Sequence, residues 1–306
     1  MLALIARRLA ASVLILFGVA AIAFVLLYML PADPAVQLAG RSATAQTVAN
    51  IRHELGLDQP LAVQFLSYIT HLVQGDLGRS YTQKTEVITL IMARLPATLI
   101  LMAAGIAVEV TLGLIFGIAA AINRGGAVDR LIMTMSFVGV SAPQFVVALL
   151  LLYLFAATLG WFPMSGFGSV SHVVLPAMTL GVLGAGWYAR MVRSAMVDVL
   201  NQDYVRTARA KGISERRVIL RHAVPNALLP IIAMIGIDIG QFMSGVVVVE
   251  SVYGWPGIGQ LVWQAIQQVD IPIIMGVTLV SAFAIVLGNL IADLIAPLID
   301  PRIRAR

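Results

Sequence analysis

Apolar run length constrains this chain more than any other feature. Crossing a bilayer takes about 20 mainly apolar residues. Six stretches answer to such a crossing: 9–30, 98–122, 131–159, 173–188, 228–249 and 272–295. The third is interrupted at Ser141-Ala142-Pro143, and the fourth is short and rich in glycine. Of the 306 residues, 60% are hydrophobic and 11% are charged, whereas soluble domains carry about 25% charged residues. Too few polar groups remain to cover such runs in water, so the apolar surface must face lipid. The expected fold class is all-α, a polytopic membrane protein with six transmembrane helices.

The first run follows Arg7 and Arg8, as in a secretory leader, but it exceeds the apolar core of about 7–15 residues that leaders carry. Residues 1–30 are therefore read as an uncleaved anchor span. An even number of spans puts both termini on one side. Lys and Arg in short loops decide which side, because they are retained in the cytoplasm. Fifteen of the twenty lie at the N-terminus, after the second run, after the fourth run, or in the tail (Arg302, Arg304, Arg306). The other five, Arg41, Arg52, Arg79, Lys84 and Arg94, sit between the first two runs. The expected location is a bacterial inner membrane, with both termini cytoplasmic.

The division that follows is an anchor over 1–30, a small outward helical domain over 31–97, and a five-span core over 98–306. In the outward domain, Leu61, Phe65, Ile69 and Leu72 recur at helical spacing, predicting a helix over 61–73 that starts near Asp58 and Pro60. A second helix is expected over 44–55, and Gly75–Gly78 reads as a turn. The domain is either a packed cap or a docking surface, and the sequence leaves both open.

Several classes are disfavoured. Net charge is +5 with a pI near 9.9, but the charge is too sparse for nucleic acid. Cysteine is absent and the four histidines are scattered, so no metal site is expected. No phosphate-cradling GxxxxGK[ST], no HExxH and no paired carboxylates on one helix face occur. No catalytic residue is assigned.

One basic island interrupts the apolar pattern. Between Asp203 and Pro230 stand Arg206, Arg209, Lys211, Arg216, Arg217 and Arg221. Asp203 is a fair helix start and Gly212 a fair stop. Ser214 can cap a second helix, which Pro225 breaks before the fifth run. The result is a helix–turn–helix across the cytoplasmic face, at about 200–227. A solvated, lipid-contacting loop is the plainer alternative.

The island resembles the Glu-Ala-Ala loop of ABC importer permeases. That pattern has Glu-Ala-Ala, a glycine four positions beyond, and a later Leu-Pro. Here Arg206-Thr207-Ala208, Gly212 and Val224-Pro225 stand at those places, with Ala208, Gly212 and Pro225 matching strictly. DYVRTARAKG looks like the variant of the dipeptide/oligopeptide/nickel branch. So do ARRLAASVLILFG, LPADPA, ELGLDQPLAVQFLSYI, GDLGRSY, RLPATL, VVLPAMTLG, VESVYGWPGIGQL and DPRIR, which together run nearly the whole chain. Ala32 replaces the usual glycine before the first Asp-Pro.

The resemblance implies a MetI-like type I importer permease fold. It implies a second similar permease as partner, two ATPase subunits that carry ATP and Mg²⁺, and an outer substrate-binding protein. No cofactor is implied in this chain, which would not hydrolyse ATP. Tyr204, Arg206, Thr207, Ala208, Ala210, Lys211 and Gly212 would form the coupling helix, with the alanines and Gly212 allowing an ATPase to approach closely. Peptides are the implied substrates, with glutathione-type peptides and chelated nickel also handled in the branch.

Charge within membrane runs is costly and marks function. Asp238, flanked by Gly236 and Gly240, either faces the pathway, where it could receive a peptide amino terminus, or serves packing; Gln241 accompanies it. Ser141 and Pro143 could open backbone to a cavity. Glu109 has no evident partner and is read as structural, and Gly113 and Gly117 are read as packing. Glu250, Trp255 and Pro256 are candidates for an outer gate; the alternative is a re-entrant turn with an interfacial Trp. Two rival functions remain. A self-contained secondary transporter commonly shows internal repeats, and none is visible. A membrane-embedded enzyme would need a reactive constellation.

Overall fold

The computed structural model describes residues 2–29, 34–40, 43–243 and 246–299. Arg41, the tail arginines Arg302, Arg304 and Arg306, part of the LPADPA motif and the whole of DPRIR lie outside the described residues. Among the described residues every regular element is helical, and extended pairing is confined to a bridge between Arg79 and Glu86.

The chain begins with α1 (Leu2–Met29), followed by three short helices, α2 (Pro34–Ala39), α3 (Ala45–Glu54) and α4 (Leu61–Val73). α4 falls where the periodicity places it, and α3 lies within the helix expected over 44–55. Thr44 caps α3 by accepting from the Thr47 amide at 3.2 Å. Pro60 stands at the cap of α4, while Asp58 Oδ2 instead lies 2.7 Å from His53 Nδ1. Phe65 of α4 meets Phe24 of α1 edge-on, with ring centroids 5.1 Å apart, and Tyr68 stacks on it at 5.6 Å. This aromatic contact ties the outward domain to the anchor.

The second span corrects the expected start at Thr98. Helix α5 (Val87–Ile122) runs 36 residues straight through Pro96. An internal proline costs about 3 kcal/mol or more, which is why the sequence suggests a boundary there. Packing overrides it: Val87 and Ile91, both buried, belong to one apolar cluster with Ile258, Leu261, Ile273 and Val277. The third span is a bent pair, α6 (Ala127–Ser141) and α7 (Gln144–Leu151), with a π-helical continuation over Leu152–Thr158. The two arms meet at 103°. Pro143 forces the break, because the residue before a proline avoids helical geometry and Ala142 is extended at φ −72°, ψ 132°.

Helix α8 (Val170–Leu200) outlasts the expected fourth span at both ends. Then come α9 (Asp203–Ala210), α10 (Glu215–Arg217), a π-helical stretch Val218–Ala223, α11 (Val224–Ala227) and α12 (Leu229–Met243). Pro225 does not break this sequence, contrary to expectation. It sits in the first turn of α11, where a missing N–H matters least, and the 50° bend falls between Ala227 and Pro230. The chain closes with α13 (Val247–Val252), α14 (Ile258–Gln268) and α15 (Ile271–Ile299). Four helices are individually long and apolar enough to cross a membrane, within 7–26, 87–122, 170–200 and 271–290; each bent pair taken as one span brings the total to six.

The centre of the bundle is the α5–α8 contact. A Cβ on Gly105 would lie 3.1 Å from Leu180, on Gly184 1.8 Å from the Glu109 carboxyl, on Gly113 2.1 Å from Tyr188, and on Gly117 2.5 Å from Val192. Each step is four residues on both helices, so they run parallel with their i, i+4 stripes in register. Small residues let backbones approach this closely where lipid supplies no hydrophobic drive. The Gly236–Gly240 stripe of α12 does the same against α15, with Gly240 facing Ile285. Outside the core, Arg193 of α8 clamps Asp129 of α6 through two bonds of 2.5 and 2.7 Å.

Asp270, fully buried ahead of α15, ties the last span to the outward segment. It accepts from Ser80 Oγ at 2.6 Å, Thr82 Oγ1 at 2.6 Å and the Thr82 amide at 2.9 Å. Burial pushes its carboxyl up, but these bonds outweigh burial and hold it below its ordinary value. A lowered carboxyl contributes stability that is present above the unfolded value and lost as pH falls through the folded one.

Two outcomes follow. Replacing Gly113 with Leu should cost at least the roughly 1–3 kcal/mol of an overpacked site, read as a lower melting temperature of the purified chain; an unchanged melt contradicts the tight contact. Asp270→Asn should destabilise at neutral pH, with the difference from wild type shrinking below about pH 4 as the native carboxyl protonates. A difference that grows on acidification contradicts the assignment.

Candidate functional site

Helix α9 is short and defined at its C-terminal end. Its cap is Gln202, not Asp203, which occupies the first turn instead and there complements the helix dipole. At the other end Gly212 adopts φ +73°. The Gly212 amide donates to Arg209 O at 2.9 Å and the Ile213 amide to Ala208 O at 3.3 Å. These two bonds form a Schellman stop, which needs a left-handed residue just past the helix and so favours glycine.

The helix sits on an apolar seat. Val205, Ala208 and Val218 are buried together, with Val199, Leu200 and Ile213 packed around them. Ala208 thus faces the chain's own interior, which corrects its assignment to the partner-facing surface. A small residue there lets α9 lie close to the body. Tyr204, Arg206, Thr207, Ala210, Lys211 and Gly212 are exposed. Arg206 is 3.6 Å from Asp203, and Arg209 grips Glu215 through bonds of 2.6 and 3.1 Å, closing the turn between α9 and α10. Beneath, the π-helical stretch joins a second cluster in which Ile219, Ala223, Ala227 and Ile231 meet Tyr188, Val192 and Met196 of α8. The seat of α9 thus shares Val199 and Leu200 with a cluster that reaches both α8 and α12.

The opposite end of α5 holds the Glu250–Trp255–Pro256 turn. Glu250 and Trp255 are 0% exposed, and Pro256 is half-buried. Glu250 accepts from Thr98 Oγ1 at 3.1 Å and the Gln260 amide at 2.8 Å; Thr98 Oγ1 accepts in turn from the Ile258 amide at 2.8 Å. The Trp255 indole donates to Ala97 O at 2.9 Å, and its ring meets Phe167 edge-on at 4.9 Å. Gly257 leaves room for the carboxyl, since a Cβ there would lie 2.1 Å from Glu250 Oε1. Trp255 is an interior residue, which corrects the reading of an interfacial Trp. The turn is bonded into the bundle as a plug, fixed by α5.

In the membrane interior the structure brings together residues that sequence reasoning kept apart. Tyr188 donates its hydroxyl to Asp238 Oδ2. Glu109, 4% exposed, interacts electrostatically with both. Asp238 is half-buried and Gln241 exposed. Ser141 and Pro143 are exposed at the 103° bend and belong to the break in the third span. Tyr188 carried no signal in the sequence beyond closing an apolar run, so its pairing with Asp238, 50 residues on, was not readable there.

Comparison with known proteins bears on the family and the fold. Residues 113–305 match the family described as binding-protein-dependent transport system inner membrane component, and residues 1–102 match its N-terminal companion. The chain is 42% identical over 304 residues to the glutathione transport system permease protein GsiC of Salmonella typhimurium (strain LT2), covering 99% of both chains. The Escherichia coli (strain K12) protein of that name is 41% identical with the same coverage. Among solved structures, the inward-facing MetNI methionine ABC transporter superposes on 69% of this chain and 97% of its own, with TM-score 0.53 at 18% identity. An amino acid ABC transporter gives TM-score 0.51 over 70% and 94% at 18% identity. At that identity the structures speak to the fold alone. The chain belongs to the family of binding-protein-dependent transport system inner membrane components and is a permease subunit of an ABC importer.

Proposed function

We propose that this permease forms half of a pathway for short peptides, glutathione-type peptides among them, and that α9 is the joint through which partner ATPases act. Both termini and α9 face the cytoplasm in this reading, as the basic residues argue. A second similar permease completes the pathway, a binding protein delivers the substrate from outside, and the ATPase subunits hold ATP and Mg²⁺. The observation that carries it is α9 itself: a capped helix with an exposed basic face, seated by buried Val205 and Ala208 and linked through a continuous apolar cluster to α8 and α12. The 41–42% identity to glutathione permeases supports the substrate class. Exposed ion pairs contribute only about 0–1 kcal/mol, so shape and apolar contact at α9 carry most of the docking.

Uptake of glutathione and of di- and tripeptides by cells relying on this system should disappear when the ATPase genes are deleted. Transport by the purified chain alone, driven by an ion gradient, contradicts the proposal. Gly212→Val should leave the chain in the membrane and the complex assembled. A left-handed β-branched residue costs about 1–2 kcal/mol, which distorts the end of α9 and separates ATP hydrolysis from uptake. Normal uptake per ATP in that variant counts against the joint.

A further inference from the structure

The cluster of Glu109, Tyr188 and Asp238 has a charge balance that packing does not explain. Glu109 lies on the same four-residue stripe as Gly105, Gly113 and Gly117, in the middle of the tightest contact in the bundle. A small residue there would continue the stripe. Instead a carboxyl is present, and Gly184 on α8 supplies the room for it. One of its oxygens, Oε2, is buried with no hydrogen-bond partner among the described residues. One turn further along α8, Tyr188 packs against Gly113 and donates to Asp238 of α12. Glu109 feels the charge of Asp238, and Tyr188 feels that of Glu109. Two carboxyls from different spans thus share one region of the membrane interior, and among the described residues no cationic side chain is bonded to either of them. Such a pair is costly to ionise on its own, so it is suited to receive a positive group.

We propose that Glu109 and Asp238, held by Gly184 and Tyr188, form a site in the membrane interior for the primary ammonium group of the transported peptide. The site rests on the peptide-import reading above and specifies what part of the substrate the permease itself recognises. An ammonium crossing an apolar pathway loses its water, and a carboxyl pair offsets that loss at mid-membrane. Asp238 is half-buried and would meet the ammonium first, while buried Glu109 stands behind it as a second acceptor. Tyr188 keeps the Asp238 carboxylate oriented and supplies no positive charge.

The test uses the complete transporter in lipid vesicles, with its binding protein saturated by either of two peptides. One is a tripeptide with a free α-amino group, and the other its des-amino analogue, both first shown to load the binding protein. Glu109→Gln and Asp238→Asn preserve size. Each should lower the saturated uptake rate of the amino peptide by roughly a hundredfold or more, the scale of losing one buried charge partner, and leave the des-amino rate within about twofold of wild type. The amount of assembled complex is measured alongside. If Glu109→Gln does not assemble, the half-buried Asp238→Asn carries the test alone. Equal losses for both peptides point to a purely structural role and overturn the proposal, as does no loss for either. A wild-type rate that depends on pH identically for both peptides assigns the pair to a proton and also overturns it. A wild-type complex that moves neither peptide defeats the peptide-import reading itself.

Discussion

The rest of the structure depends on how closely α5 and α8 approach each other. Lipid tails are as apolar as leucine, so burying apolar surface does little to hold membrane helices together, and the contact must come from close packing. Over four successive turns a glycine on one helix faces a side chain on the other, and a Cβ in three of these places would lie within 2.5 Å of its neighbour. Dispersion across so short a gap is individually small and collectively large. The outcome is a parallel pair that behaves as a single beam through the membrane.

Both ends of this beam hold other elements in place. At one end, Thr98 and Ala97 of α5 take the bonds of Glu250, Ile258 and Trp255, so the turn that carries them is attached to α5. At the other end, Val192 and Met196 of α8 pack with Ile219 and Ala223, so the seat of α9 is attached to α8. Between them lie Glu109 and Tyr188, again one from each helix. The seat of α9 and the Glu250–Trp255 turn are thus attached to one pair of packed helices. The bent spans supply the compliant parts: a 103° break at Ser141–Pro143, a 50° bend before Pro230, and two π-helical stretches, a form that often accompanies functional sites.

The sequence revealed those features that local chemistry decides. Periodicity located α4, apolar length located the spans, and the αL preference of glycine located the end of α9. Features decided by distant partners were not legible. Pro96 looked like a boundary until Ile258 and Ile273 were seen to pack beneath α5. The bonds that bury Glu250 and Trp255 could not be read locally, because their polar partners Thr98 and Ala97 lie over 150 residues away. Ala208 looked like a partner contact, because only the fold shows which face of an eight-residue helix turns inward. Glu109 looked solitary for the same reason.

The rigidity of the α5–α8–α9 unit can be measured directly. The chain has no cysteine, so spin labels can be placed singly at Ile122, exposed at the end of α5, and at Thr207, exposed on α9. The distance between them would be recorded in the assembled transporter without nucleotide and with ATP trapped. The account predicts the same distance distribution in both states, because α9 moves with the beam. A shift or splitting of that distribution on ATP binding would show that α9 moves independently of α5, and would contradict the single-body description.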